Sequence, residues 1–399
     1  MIRYPYPSLV AAALFVAAAA SLAAQDRGAP GPAADVAQVL KLARKPPALP
    51  KPAGGAVRVA DVPALRKAVA EAAPGTTILL ADGVYRLDEL LVTQHNLTIR
   101  GESGDREKVV LDGEGKFTKV VRVRGARNLT VADLTVANSR QYGILFLGDS
   151  GIERLKVYNV KFHNCYVRGL KGTGATRVND SASKTLTAED AGKVRPRDGE
   201  VRYCLFVNDD VTPNDEPYGG DYVSGIDAMW LKDWTIADNV FVNIRGQHGG
   251  GRGAIFVWVN SENVTAERNL IVNCDRGICF GNPSGDSLHM SGGAIRDNFI
   301  VAGRGQGIEI CRTRDTAVLQ NTVFCERPNQ RAVQFHQLAG PGNRFLNNLT
   351  TGIVTVPDEV TAAGNVAGAL AGWFVNPRIG DLRLTPNAAA GEAGARQHY

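Results

Sequence analysis

From Leu90 onward the chain repeats a short pattern, a turn-forming Asn or Asp followed by alternating apolar positions. It reads Asp133-Leu134-Thr135-Val136, Asn159-Val160-Lys161-Phe162, Asn239-Val240-Phe241-Val242, Asn269-Leu270-Ile271-Val272, Asn298-Phe299-Ile300-Val301 and Asn321-Thr322-Val323-Phe324, with Cys204-Leu205-Phe206-Val207 dividing the one long interval. A second strand follows at a fairly constant offset: Gly143-Ile144-Leu145-Phe146, Gly169-Leu170-Lys171-Gly172, Gly225-Ile226-Asp227-Ala228, Gly253-Ala254-Ile255-Phe256, Gly277-Ile278-Cys279-Phe280, Gly307-Ile308-Glu309-Ile310 and Ala332-Val333-Gln334-Phe335. Positions two apart on a strand share a face, so the second and fourth residues point inward and the third points out. No single repeat buries such a ladder, whereas stacked coils bury it continuously. No helix recurs, as a leucine-rich horseshoe requires, and four-stranded blades are absent. The pattern predicts an all-β, right-handed, single-stranded parallel β-helix over residues 56–390.

A helix is expected just before the coils. Asp61 can cap it, Pro63 sits in its first turn, an amphipathic run from Ala64 to Ala72 follows, and Pro74-Gly75 stops it. Residues 25–55 are rich in Pro, Ala and Gly and read as a linker, with a short helix around Val36 to Leu42. Met1 to Ala24 has a lone Arg3, an apolar run and a small-residue end, the pattern of a secretory signal. Residues 391–399 read as a tail. A secreted or periplasmic chain follows, with no membrane span once the signal is removed and a monomeric state expected.

Composition narrows the partners. The 45 Lys+Arg against 40 Asp+Glu give a formal charge of +5, too small for a strongly basic nucleic-acid binder. The 6 Cys match no zinc spacing or compact disulfide framework and read as buried small residues, with one bridge open.

The initial helix, the segment Gly75-Thr76-Thr77-Ile78-Leu79-Leu80-Ala81-Asp82-Gly83-Val84-Tyr85, the Asn coils and the closing Asp381-Leu382-Arg383-Leu384-Thr385-Pro386 resemble secreted bacterial proteins of the pectin-lyase-like parallel β-helix superfamily. That resemblance implies the fold. The superfamily holds polysaccharide lyases, glycoside hydrolases, uronate epimerases and non-catalytic proteins, so the chemistry must come from the residues.

Three insertions interrupt the coils, at about 173–200, 208–224 and 245–251; the last two precede the Gly-containing strand and should stand side by side as a wall. The residue before that strand is Arg168, Arg252, Arg276 or Arg331 in four coils. Such a column would meet successive carboxylates of an acidic polysaccharide, unless these Arg residues close turns onto backbone carbonyls. The outward column places Lys171 beside Asp227, either as part of a site or as a plain cross-strand pair, and carries Glu309 further along. Lys171, Arg168, Arg276, Glu309 and Arg331 are the expected substrate contacts. Gly225-x-Asp227-x-x-x-x-Lys232 followed by Arg252 resembles the metal-binding acid, base Lys and Arg of the alginate lyase and chondroitinase B family. It departs in having Asp for Glu, a different phase between Lys232 and Arg252, and Arg252-Gly253-Ala254 where Arg-His-Gly is expected. The expected catalytic group is Asp227, Lys232, His248 and Arg252, with Lys232 or His248 as base and Arg252 neutralising a uronate in β-elimination. Asp209, Asp210 and Asp221, with Asp215, could bind Ca²⁺, or could simply be solvated turn residues.

Two alternatives stay open. Asp209 and Asp210 with Gln247-His248-Gly249 resemble the polygalacturonase Asp pair and Gly-His-Gly, implying a hydrolase; a uronate epimerase would use the same fold. A non-catalytic glycan-binding or surface β-helix protein is the other. His289 and His336 look isolated and receive no role.

Overall fold

The computed structural model describes residues 33–52, 55–174, 188–213, 217–285, 287–327 and 329–395. Residues 1–24, read as a signal, lie outside these, as do most of the first insertion, Asp215 and residues 396–399. Among the described residues no helix is long and apolar enough to cross a membrane.

The strands stack coil upon coil in parallel register, as the periodicity requires. One wall carries Val157, Val201, Ile236, Ala266, Ile295, Val318 and Phe345 in succession. A second carries Phe162, Phe206, Phe241, Ile271, Ile300 and Val323. The three Phe rings are stacked 4.5 and 4.6 Å apart. The third wall is a ten-stranded sheet from Leu90–Val92 to Ile353–Thr355, whose inward column runs Ile144, Leu170, Ile226, Ile255, Ile278, Ile308 and Val333. Phe146 and Trp234 stack in the interior, 5.3 Å apart. Gly172 and Gly199 make that possible, since a Cβ there would lie 2.3 Å from Phe146 and 2.4 Å from Trp234.

Two columns form the corner between the first two walls. Asp133, Asn159, Tyr203, Asp238, Arg268, Asp297, Gln320 and Asn347 all have φ between 49 and 60°. The next position holds Asn239, Asn269, Asn298, Asn321, Asn348 and Asn365, each of the first five donating Nδ2–H to the Oδ1 of the next at 2.9 to 3.0 Å. Each Oδ1 also accepts a backbone N–H of the preceding coil. The sequence pattern had set Asp133 and Asn159 in line with the ladder Asn residues; they belong one position earlier. Asn and Asp tolerate the left-handed conformation as readily as they pair across coils, so one residue type marks two adjacent positions.

The helix forms as expected, over Val62–Glu71, with Asp61 accepting from the Ala64 N–H at 2.7 Å and Leu65 and Val69 buried against the first coil. Residues 33–52 are not a free spacer. A short helix, Val36–Leu40, lays Val39 on the outer side of the second wall, against Leu205, Val207, Val240, Val242, Leu270 and Val272. Phe374, Leu382, Ala390 and Ala393 cover the same stripe, so residues 391–395 also pack rather than trail. The Ala34 N–H reaches Asn243 at 2.9 Å, Arg44 pairs with Asp238 at 3.0 Å, and Tyr158 donates to the Pro47 carbonyl at 2.6 Å. That wall is apolar on both faces, and the chain's two ends supply the outer cover. All six cysteines are buried and unbridged, so the bridge left open does not form.

Replacing Asn298 by Ala should leave the Asn269 N–H and side-chain amide without their acceptor. Each buried group so orphaned costs about 1–3 kcal/mol, and the melting temperature should fall by several degrees without loss of the strand signal in circular dichroism.

Candidate functional site

The outer face of the ten-stranded sheet gathers most of the chemistry. Its outward column runs Leu145, Lys171, Asp227, Phe256, Cys279, Glu309 and Gln334. The expectation placed Ile255 there. Gly253, at φ 142°, lines up with Ser224 and Arg168, which shifts its coil by one residue and turns Ile255 inward and Phe256 outward. Arg252 therefore stands one position outside the column that Arg168 begins.

Asp227 is fully buried at one end of this face. It accepts from Arg168 Nε at 2.7 Å, Lys171 Nζ at 2.9 Å and Trp258 Nε1 at 3.0 Å. Burial alone would raise its carboxyl; Lys171 and Arg168 more than reverse that and hold it at about 2. Burial lowers the Lys171 ammonium, against the pull of Asp227. Arg168 also donates to the carbonyls of Val167 and Tyr222 and lies 4.4 Å over the Tyr222 ring. The turn-closing alternative thus describes Arg168.

Glu309, 2% exposed, anchors the other end. Its Oε1 meets His336 Nε2 at 3.1 Å and its Oε2 lies 3.7 Å from Arg276 Nη1, too long for a hydrogen bond. Burial would raise this carboxyl too, and Arg276, His336 and Arg252 bring it down to about 2. The Arg252 guanidinium rests over Phe256, 5.3 Å from the ring centroid. Arg252 Nε, Arg276 Nη1 and Glu309 Oε2 are buried without a hydrogen-bond partner. Cys279 lies among them, its thiol pushed up by burial and by Glu309. Phe256 stacks on Trp258 at 5.0 Å, and His289 meets the Trp258 ring edge-on at 5.7 Å. His289 is buried, its Nδ1 accepting from the Asn282 N–H at 3.0 Å; burial, with Arg312 and Arg252, lowers its ring to about 4.

The two loops that precede this sheet are held by buried or half-buried carboxylates. Asp221 accepts from the His248 N–H at 2.6 Å, the Gly250 N–H at 3.4 Å and His248 Nδ1 at 3.2 Å. Asp275 accepts from the N–H groups of Gly246 at 2.7 Å and Gly251 at 3.0 Å, and burial raises its carboxyl.

Several expected site residues do not join the face. Lys232 lies beyond the Trp230 corner, in a separate ladder from Arg197 to Glu262, with its ammonium 3.2 Å from Glu262. His248 is 63% exposed and tied to Asp221. Arg331 is exposed at the start of its strand. Asp209 binds His163 at 3.0 Å and Asn164 at 2.9 Å, and Asp210 caps the Val211 N–H at 2.7 Å. Among the described residues no three His, Cys, Asp or Glu side chains converge as a metal site. Asp209, Asp210 and Asp221 each accept hydrogen bonds from donors of their own.

Two further side chains stand on this face, Trp258 and His336, the latter isolated in sequence and without an expected role. Both lie two residues beyond the outward column, in register with Met229 and Cys311 respectively. Continuing the alternation past the fourth residue of its strand finds His336; Trp258 is hidden by the one-residue shift at Gly253.

This architecture is a right-handed parallel β-helix. Solved structures similar to it include pectate lyase Pel9A (TM-score 0.53, 15% identity, covering 81% of this chain and 84% of that one). Another is the alginate lyase from Paenibacillus sp. str. FPU-7 (TM-score 0.51, 13% identity, covering 78% and 99%). At these identities the likeness is one of fold. No protein-family model matches the chain, and comparison with curated proteins finds no match.

Two stability predictions follow from the buried ionisable groups. Replacing Asp227 by Asn should leave Lys171 and Arg168 uncompensated and lower stability by about 3–5 kcal/mol in denaturant titration. His289 is held neutral, so its contribution is complete above about pH 6.5 and is lost as pH falls through about 4. Asp227 and Glu309 are held ionised, so theirs persists down to about pH 4 and is lost toward about 2. Melting temperatures should therefore fall in two stages on acidification, and His289→Gln should remove the first.

Proposed function

We propose that this protein is an exported enzyme that cleaves an acidic, uronate-containing polysaccharide by β-elimination on the outer face of the ten-stranded sheet. The observation that carries the reading is the pair of guanidinium atoms, Arg252 Nε and Arg276 Nη1, buried on this face without acceptors. An unsatisfied buried donor costs about 1–3 kcal/mol, and a uronate carboxylate is a planar acceptor that would satisfy both. Around the two buried carboxylates, Asp227 and Glu309, stand four cations, Arg168, Lys171, Arg252 and Arg276, so this part of the face retains net positive charge for an anionic chain. The two solved structures cited above, a pectate lyase and an alginate lyase, support a polysaccharide as substrate on this fold.

Abstraction of the proton beside a uronate carboxylate builds charge on that carboxylate. Arg252 and Arg276 would stabilise it where water is excluded, which is where such contacts act most strongly. Lys171 and Arg168, locked by Asp227, would supply a fixed positive field along the chain direction. No step is assigned to a metal.

The test is incubation with alginate, pectate and glycosaminoglycans, reading unsaturated uronate by its ultraviolet absorbance and reducing ends in parallel. Unsaturated product is expected from at least one polymer. Reducing ends without unsaturation would instead show hydrolysis, and C5 inversion without cleavage an epimerase. Arg252→Ala should lower kcat/KM by about 100-fold or more, and Arg276→Lys, which keeps charge but loses the fork, should raise KM with folding intact.

A further inference from the structure

We propose that His336 is the base of this reaction and that Glu309 is the positioning residue that fixes it, which rests on the uronate reading above. His336 ends the Arg331–His336 strand, in register with Cys311, and its side chain is 22% exposed on the outer face. Glu309, on the preceding coil, receives it at 3.1 Å. Because Glu309 is ionised and can only accept, the imidazole donates from Nε2 and keeps its lone pair on Nδ1. Among the described residues, no protein hydrogen bond is recorded at that Nδ1. A carboxylate behind a histidine fixes its tautomer and orientation, as general-base catalysis requires.

The surroundings match the chemistry. Glu309 is shared: it contacts His336 on one side and Arg276 on the other, with Arg252 also acting on it. The base and the two unpartnered guanidinium atoms are thus gathered around one buried carboxylate. With the uronate carboxylate on Arg252 and Arg276, Nδ1 takes the C5 proton and the C5–H electron pair forms the C4–C5 double bond. The C4–O4 bond breaks with its pair on O4, and the imidazolium returns the proton to O4. One chain becomes two, one bearing the unsaturated uronate, with no other reactant consumed. The charged and titratable groups facing His336 are Glu309 and Cys311 from the preceding coil, with Arg276 and Arg252 beyond Glu309.

His336→Gln keeps an N–H donor toward Glu309 but removes the basic nitrogen, and His336→Ala removes the ring. On a polymer that the wild-type protein cleaves, both should lower kcat by about 100- to 10,000-fold. The dissociation constant for an oligosaccharide of that polymer, measured by calorimetry, should change less than about threefold. Added imidazole should restore part of the activity of His336→Ala. Glu309→Gln, which no longer holds the ring with a charged acceptor, should lower kcat by a larger factor than it raises KM. If the wild type cleaves and His336→Gln retains its kcat, the dyad is overturned while the lyase reading stands. If His336→Gln loses kcat only in proportion to lost binding or to a fallen melting temperature, His336 is structural and the proposal is likewise overturned. If the wild type forms no unsaturated product from any acidic polymer, the lyase reading itself fails and the dyad falls with it.

Discussion

Everything in this molecule depends on returning the chain to the same point one strand spacing further along, about 4.8 Å per coil. The corner between the first two walls enforces that return. Eight successive coils place a left-handed non-glycine residue there, five of them carry an asparagine beside it, and Asn365 beside the left-handed Gly364 continues the column, the amides joining coil to coil. The left-handed residue turns the strand, and the asparagine fills the donor and acceptor capacity that the turn would leave buried and unpaired. Inside, this fixes like beside like, Phe on Phe and Ile on Ile. Outside, it fixes which side chains must tolerate each other a single strand spacing apart.

On the outer face of the ten-stranded sheet that second consequence is electrostatic. Neighbouring coils cannot present like charges at this spacing without repulsion, so cations and carboxylates interleave. Lys171 and Arg168 meet Asp227, while Arg276 and His336 meet Glu309, with Phe256 and Cys279 between the two centres. Each carboxylate is removed from water and still ionised because at least two cationic or donor groups oppose the desolvation. The strands set the arrangement, and the Tyr222 carbonyl of the second insertion holds Arg168 in it. It also leaves a surplus of guanidinium donors that the protein does not satisfy, and such a surplus is tolerated where a ligand completes it.

The fold was legible because the inward ladders impose a period that survives insertions in the loops. The site was legible only in part, and the reasons are local. Gly253 adds one residue to its coil, and a shift of one on a strand exchanges its two faces, so Ile255 and Phe256 were transposed. Arg168 stood correctly in its column, but its direction depends on the Tyr222 carbonyl, which lies in an insertion without periodicity. Lys232 matched a spacing on paper; the left-handed Trp230 between it and Asp227 sends it to another wall. His336 looked isolated in sequence because its partner is 27 residues away, one coil below. The segment before the helix read as a spacer from its composition, although the doubly apolar runs Val240-Phe241-Val242 and Leu270-Ile271-Val272 already required an outer cover.

The same comparison explains why the loops, the usual place to seek chemistry on a repeat scaffold, yield to the sheet here. His248 owes its position to Asp221, and the Gly246 to Gly251 backbone owes its shape to Asp221 and Asp275. Those carboxylates are consumed in making the wall, and the one histidine they hold is largely in solvent, where its interactions are weak. The groups on the sheet differ in kind. They are dry, fixed from behind by buried partners, and incomplete at named atoms. The proposed site needs donors whose geometry is set before a ligand arrives, and that condition is met between Phe256 and His336 rather than on the loops above them.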